Sequence, residues 1–167
     1  MPPPATNPWE ALPIGMPTVN TLHFGLIEYA ADSVIEFPSG LPAFEDERAF
    51  VLLRQPDYEP LLFVQSLSTQ LLAFLAIGVQ DVRLDYQLEL TEEEFDVLGG
   101  AGAASEFEVL ALISVSAEGQ VSANLQAPLV IHRKRRRAIQ VTQSLAAYSC
   151  QHPLGSRAPA DGETPCS

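Results

Sequence analysis

Cysteine is scarce in this chain. Cys150 and Cys166 are the two present, both near the C-terminus. That placement makes neither a disulfide framework nor a metal motif, and a reduced, cytoplasmic setting is the expectation. Long apolar runs are missing as well. The longest, residues 71–79 (LLAFLAIGV), falls far short of the ~18 residues of a membrane span. The N-terminal MPPPATNPWEALPIGMP lacks the basic and apolar regions of a secretory signal. Basic residues are few: nine Lys and Arg stand against 21 Asp and Glu, for a formal net charge of −12. Such a surface repels nucleic-acid phosphates and suits a basic partner.

Catalytic templates are missing too. There is no G-x-S-x-G, no P-loop and no Rossmann fingerprint behind a strand. The glycines at 99–102 follow a predicted helix instead of opening one, so they read as a linker. His23, His132 and His152 are isolated, without the spacing of a zinc site. Cys150 and His152 are close in sequence, but near neighbours rarely form a nucleophile–base pair. No carboxylate sits in the apolar context that a general acid needs. The expectation is a protein that is not an enzyme, with no cofactor and no metal.

What is present is core-forming material. Hydrophobic residues make up 47% of the 167, which suits one domain with tails. Six of the fourteen prolines lie in residues 1–20, read as a disordered arm in which Trp9 is the one residue able to dock. Residues 21–152 read as a single domain and 153–167 as a disordered tail. Strand-like segments follow one another at 22–29, 33–37, 49–53, 61–67 and 71–79. Residues 84–90 (LDYQLEL) alternate strictly, with Leu84, Tyr86, Leu88 and Leu90 on one face, and predict a strand with one wet side. Thr91 to Glu94 is a capping box opening one short helix. Further strands are predicted at 107–115, 121–125, 129–131 and 138–142, with a turn at Glu118-Gly119. Nine to eleven short strands with one or two short helices predict an all-β, mainly antiparallel barrel or split-barrel-like domain.

Residues 35–53 (IEFPSGLPAFEDERAFVLL) form the most shaped stretch. Pro38 ends pairing of the first strand, Gly40 offers a left-handed conformation, and Pro42 pre-sets its own φ. Leu41 and Phe44 are the apolar side chains able to turn back to a core, and Glu45, Asp46 and Glu47 are expected to stay wet. Charge is uneven along the chain. Residues 28–96 hold fifteen acids and three arginines, whereas five of the nine basic residues fall at 133–137. The acids serve either solubility alone or a basic partner, and both readings stay open. The basic run lacks interleaved aromatics and reads as an exposed hairpin tip, not an RNA contact.

Three motifs in order carry a resemblance: I-x-F-P-S-G-L-P-A-F-E at 35–45, L-F-V-Q-S-L at 62–67, and S-A-N-L-Q-A-P-L-V-I-H-R-K-R at 122–135, with D-Y-x-x-x-L at 85–90 between. Together they resemble the flagellar assembly factor FliW family over residues 21–150. The resemblance implies a small antiparallel β-barrel without catalytic activity. It also implies antagonism of the RNA-binding translational regulator CsrA, relieving repression of flagellin mRNA translation, and a partner switch with flagellin. No direct nucleic-acid or membrane contact is implied. The chain departs from the family pattern with Ala43 in place of Gly, His132 in place of Asn, and no proline after the strand at 75–80.

The candidate protein-binding residues are Phe44, Glu45, Asp46, Gln65, Ser66, Asp81, Asp85, Tyr86, Asn124, Gln126 and Pro128. Asp81, Asp85, Glu89 and the acids at 92–94 are expected to place negative charge where phosphates would lie on a basic regulator. Two alternatives remain at this point: a flavin-binding split-barrel redox protein, and a chaperone for flagellin alone.

Overall fold

Apolar side chains alternate along the longer strands so that both faces of the sheet are buried, and that pattern closes the sheet on itself. In the computed structural model, residues 16–144 and 147–154 are described. The strands are β1 (Thr18–Thr21), β2 (Gly25–Glu28), β3 (Ile35–Glu36), β4 (Ala49–Leu53), β5 (Leu61–Ser66), β6 (Ala73–Gly78), β7 (Phe107–Val115), β8 (Val121–Ala123), β9 (Leu129–His132), β10 (Arg137–Gln140) and β11 (His152–Pro153). Helices α1 (Val79–Val82) and α2 (Glu92–Leu98) lie between β6 and β7.

Strand order runs β11-β8-β7-β6-β5-β4-β3-β10-β9, and β9 pairs back onto β7. The ring from β7 through β9 is therefore a closed barrel of seven strands. Closure removes the sheet edges that would otherwise expose unpaired backbone. All but one of the pairings are antiparallel; β10 meets β3 in parallel, at Arg137 opposite Glu36. β7 is the long member. Its start pairs with β9 (Phe107 opposite His132), its middle with β6 (Ala76 opposite Leu112), and its end with β8 (Ile113 opposite Ala123).

Alternation assigns each strand to two cores. On β4, Phe50 and Leu52 face the barrel interior with Ile35, Phe37 and Leu62, while Val51 and Leu53 pack under the β1–β2 hairpin with Val19. On β7, Leu110 points inward, Ala111 packs with Tyr86 and Tyr148, and Phe107 packs with Leu98 of α2. Burying such a side chain is worth about 1.5–3 kcal/mol each. Continuous apolar runs such as FEVLALISV are the expected signature of strands buried on both faces.

The all-β reading, eleven strands and two short α-helices among the described residues agree with expectation. Several local readings are corrected. Residues 22–29 are not one strand: the chain turns over Leu22 to Phe24 between β1 and β2. β1 also starts within the stretch assigned to the N-terminal arm, and β11 takes Pro153 from the stretch assigned to the tail. Residues 84–90 form no ladder; Leu84 is 91% exposed while Tyr86 is buried. Glu47 is buried, not wet. Cys150 is disulfide-bonded. The arm before residue 16, with Trp9, and the tail from 155 lie outside the described residues.

Candidate protein-binding surface

The 35–53 corner is built around a tight turn at 41–44. The N–H of Phe44 donates to the carbonyl of Leu41 (2.7 Å), and that of Leu41 to Phe44 (3.2 Å). Pro42 and Ala43 are its central residues, and Ala43 has φ +70°. A proline followed by a positive φ is the type II pattern, which favours glycine at the second place. The alanine there carries strain of about 1 kcal/mol. Gly40, at φ +67°, lies so close to the backbone of Glu45 that an added Cβ would sit 2.5 Å from its carbonyl oxygen. Leu41 plugs the barrel, as expected. Phe44 is 38% exposed, with its ring edge-on to Phe74 at 5.3 Å between centroids. Glu45 and Asp46 project into solvent. Glu47 turns inward because the Ser66 hydroxyl, across the sheet, donates to its Oε1 (3.3 Å).

A second surface is organised by the 84–90 segment, which turns at Leu84–Asp85 and then lies against the barrel as a strap without ladder pairing. Side chains take the place of a ladder. The Tyr86 hydroxyl donates to the Leu125 carbonyl (2.6 Å). The Gln87 N–H donates to the Tyr148 hydroxyl (2.7 Å). Gln143 is buried and pairs with both backbone groups of Glu89, at 2.8 and 2.9 Å. Tyr86 and Tyr148 stack with centroids 4.2 Å apart. Burial, and then the neighbouring Tyr148, raise the Tyr86 phenol well above its ordinary pKa, so it remains a neutral donor. Arg83 hydrogen-bonds and pairs with the exposed carboxylate of Asp85 (3.2 Å), which holds that carboxyl below its usual range.

The strap leads into α2 through the capping box. Thr91 Oγ1 accepts from the Glu94 N–H (3.2 Å), and the Glu94 carboxylate accepts from the Thr91 N–H (2.8 Å). Gly99, at φ +100°, ends the helix in a left-handed cap. Its missing Cβ also makes room for Arg135, whose Cγ would lie 2.9 Å from one. The aliphatic stem of that arginine packs against the end of the helix. Between strap, α2, the 102–105 loop and β7 lies a groove of about 780 Å³. Tyr86, Leu88, Leu90, Phe95, Phe107 and Val109 line it, with Asp81, Glu108 and Arg133 among the polar residues at its walls.

The basic run is a hairpin tip between β9 and β10, as expected, and three of its five cations pair with the barrel's own acids. Arg133 pairs with Glu108 (3.8 Å), Lys134 with Glu106 (3.6 Å) and Arg137 with Glu36 (3.6 Å); Arg54 also reaches Glu108. Arg136 donates to the Ser33 carbonyl (2.6 Å). His132 is buried against Phe107, and its Nδ1 accepts from the Arg135 N–H (3.4 Å), a turn contact of the kind an asparagine side chain makes.

The sequence-derived candidates separate into two groups. Phe44, Glu45 and Asp46 are exposed at the corner, and Asp81 and Asp85 are exposed beside the strap. Gln65 and Ser66 are buried: Gln65 Nε2 faces three carbonyls at 2.8–3.1 Å, and Ser66 Oγ accepts from the N–H groups of Ser68 and Thr69. Tyr86 and Pro128 are buried as well. Asn124 Oδ1 caps a turn by accepting from Gln126 and Ala127 N–H, and Gln126 lends its carbonyl to Gln143 N–H. Gln65, Ser66 and Pro128 shape the barrel instead of meeting solvent, Tyr86 shows only at the groove, and Asn124 and Gln126 are half-buried. Leu88, Leu90, Phe95, Phe107 and Val109 are the residues that sequence reasoning missed as part of a surface. The one usable signal was the alternation at 84–90, which marks Leu88 and Leu90 as inward-facing.

Comparison with known proteins is consistent in direction. The family model described as FliW protein matches residues 18–154. The chain is 30% identical to flagellar assembly factor FliW 2 of Desulfotalea psychrophila, over 83% of this chain and 91% of that one. It is 28% identical to flagellar assembly factor FliW of Bacillus subtilis, over 82% of this chain and 96% of that one. A relative of the same name in Azoarcus sp. is 36% identical over 70% of this chain and 84% of its own. A crystal structure of the flagellar assembly factor FliW superposes with a TM-score of 0.75 at 29% identity, covering 84% of this chain and 98% of that one.

Proposed function

The chain belongs to the FliW family, and we propose that it is a cytoplasmic, non-catalytic regulator of flagellar assembly that works by binding other proteins. Its first partner is a CsrA-type RNA-binding translational regulator, which it antagonises so that flagellin mRNA is translated. Its second partner is flagellin. As free flagellin rises it occupies this protein, and the regulator is released to repress again.

The observation that supports this most is the charge of the surface carrying the strap and α2. Residues 79–108 hold nine acids and one arginine. Three of the five cations at 133–137 are spent on internal pairs with Glu36, Glu106 and Glu108. The face left over is strongly negative, and a protein that binds RNA is positive where the phosphates lie. Complementary fields of this kind steer association and set specificity. The test is a charge-reversal series, Asp81→Lys, Glu89→Lys and Glu92→Lys, with regulator affinity measured across a salt range. The reading requires weakening that grows with each reversal and is largest at low salt. Affinity unchanged across the series at low salt overturns it.

A further inference from the structure

We propose that the groove between the strap and β7 is a docking slot for a peptide segment that carries apolar side chains flanked by lysine or arginine. The floor is apolar: Leu88, Leu90, Phe95 and Val109 are each half-buried, so part of every side chain meets water. At about 780 Å³ it lies within the ~300–1,000 Å³ range of pockets that hold ligands. Seating apolar side chains there removes that surface from water, and the gain scales with area.

The walls select the flanking chemistry. Glu108 is already matched by Arg54 and Arg133, and Asp85 by Arg83. Asp81, Glu89, Glu92, Glu93 and Asp96 enter no ion pair among the described residues. Of these, Asp81 lines the groove, and the other four stand on the strap and α2 that border it. An acidic peptide would bring like charge against them, whereas a cationic one finds unspent partners beside an apolar floor. The slot is also held in shape before anything binds. The strap is fixed from behind by Tyr148, Gln143 and the Leu125 carbonyl, and α2 by its capping box. Little ordering is left for the partner to drive.

Identifying the occupant as part of the cationic regulator rests on the function proposed above; the slot's chemistry does not. The experiment therefore has two arms. Ser105→Trp and Ala104→Trp place bulk at exposed lining positions, with melting temperature confirming the fold. Regulator affinity should fall by about tenfold or more in each. In the second arm a short synthetic peptide alternating leucine and lysine is titrated while amide shifts are followed by NMR, with glutamate replacing lysine as the control. Shifts at Gln80, Leu88 and Ser105 with the lysine peptide alone, lost in Ser105→Trp, are expected. Folded tryptophan variants that bind the regulator as wild type does, with no groove shifts from the lysine peptide, overturn the slot and leave the function standing. Groove shifts from the lysine peptide without any regulator binding overturn the function and leave the slot. Equal response to both peptides overturns the charge selection.

Discussion

Replacing Gly40 with alanine probes the corner at its tightest point. Two costs add there. Alanine at φ +67° carries the left-handed penalty of about 1 kcal/mol net of its lower unfolded-state entropy. The new Cβ would also meet the Glu45 carbonyl oxygen, carbon and Cα at 2.5–2.6 Å, all backbone atoms that no rotamer change can move aside. Forcing the 40–45 turn open to admit it is an overpacking cost of about 1–3 kcal/mol. The sum, ~2–4 kcal/mol, corresponds to a fall in Tm of roughly 6–20 °C for a domain of this size. Gly25→Ala is the matched control, because Gly25 has φ +65° but nothing within 4 Å of an added Cβ. It should cost only the ~1 kcal/mol of strain. Urea unfolding of wild type and both variants isolates the contact as the difference between them, about 1–3 kcal/mol. If Gly40→Ala is no worse than Gly25→Ala, the close approach to Glu45 and the account of the corner built on it are wrong.

The strap makes two further predictions. Gln143→Leu keeps the volume but removes both bonds to the backbone of Glu89, so it should cost about 1–3 kcal/mol. Hydrogen exchange at the Glu89 amide should speed up while amides in the middle of β7 keep their protection, and an unchanged Glu89 amide would count against the clasp. Asp85, held low by Arg83, should titrate below the ordinary carboxylate value of 3.8. Any stability it contributes is therefore present near neutral pH and lost as the pH falls through its lowered pKa. Carboxyl-carbon NMR should show that pKa rising to the ordinary value in Arg83→Gln; no movement would remove Arg83 as the cause.

The parts of the fold that were legible were those decided locally. β4 and β7 match their predicted spans because an apolar run of strand composition has few other uses. The capping box at Thr91, the hairpin tip at 133–136 and the positive φ at Gly40 depend on neighbours in sequence. What failed depended on distant residues. Alternation at 84–90 reports which side chains turn inward, and Tyr86 does, but it cannot report whether a strand lies alongside. Here the backbone partners are side chains of Gln143 and Tyr148, more than fifty residues on. Glu47 is one of three consecutive acids, and its burial is decided by Ser66 across the sheet. Gln65 and Ser66 belong to the motifs that mark the family, yet their polar atoms serve the 66–72 turn. A motif residue can identify a fold without touching a partner. The groove escaped notice because it is assembled from α1, the strap, α2 and β7, which no sequence window contains.

The most direct measurement is displacement. The regulator is bound to a labelled flagellin-leader RNA, and the full chain is titrated in while RNA release is followed by fluorescence anisotropy, with and without flagellin. Stoichiometric release that flagellin suppresses is the predicted result. RNA that stays bound while the chain is in excess, in the absence of flagellin, would contradict the account.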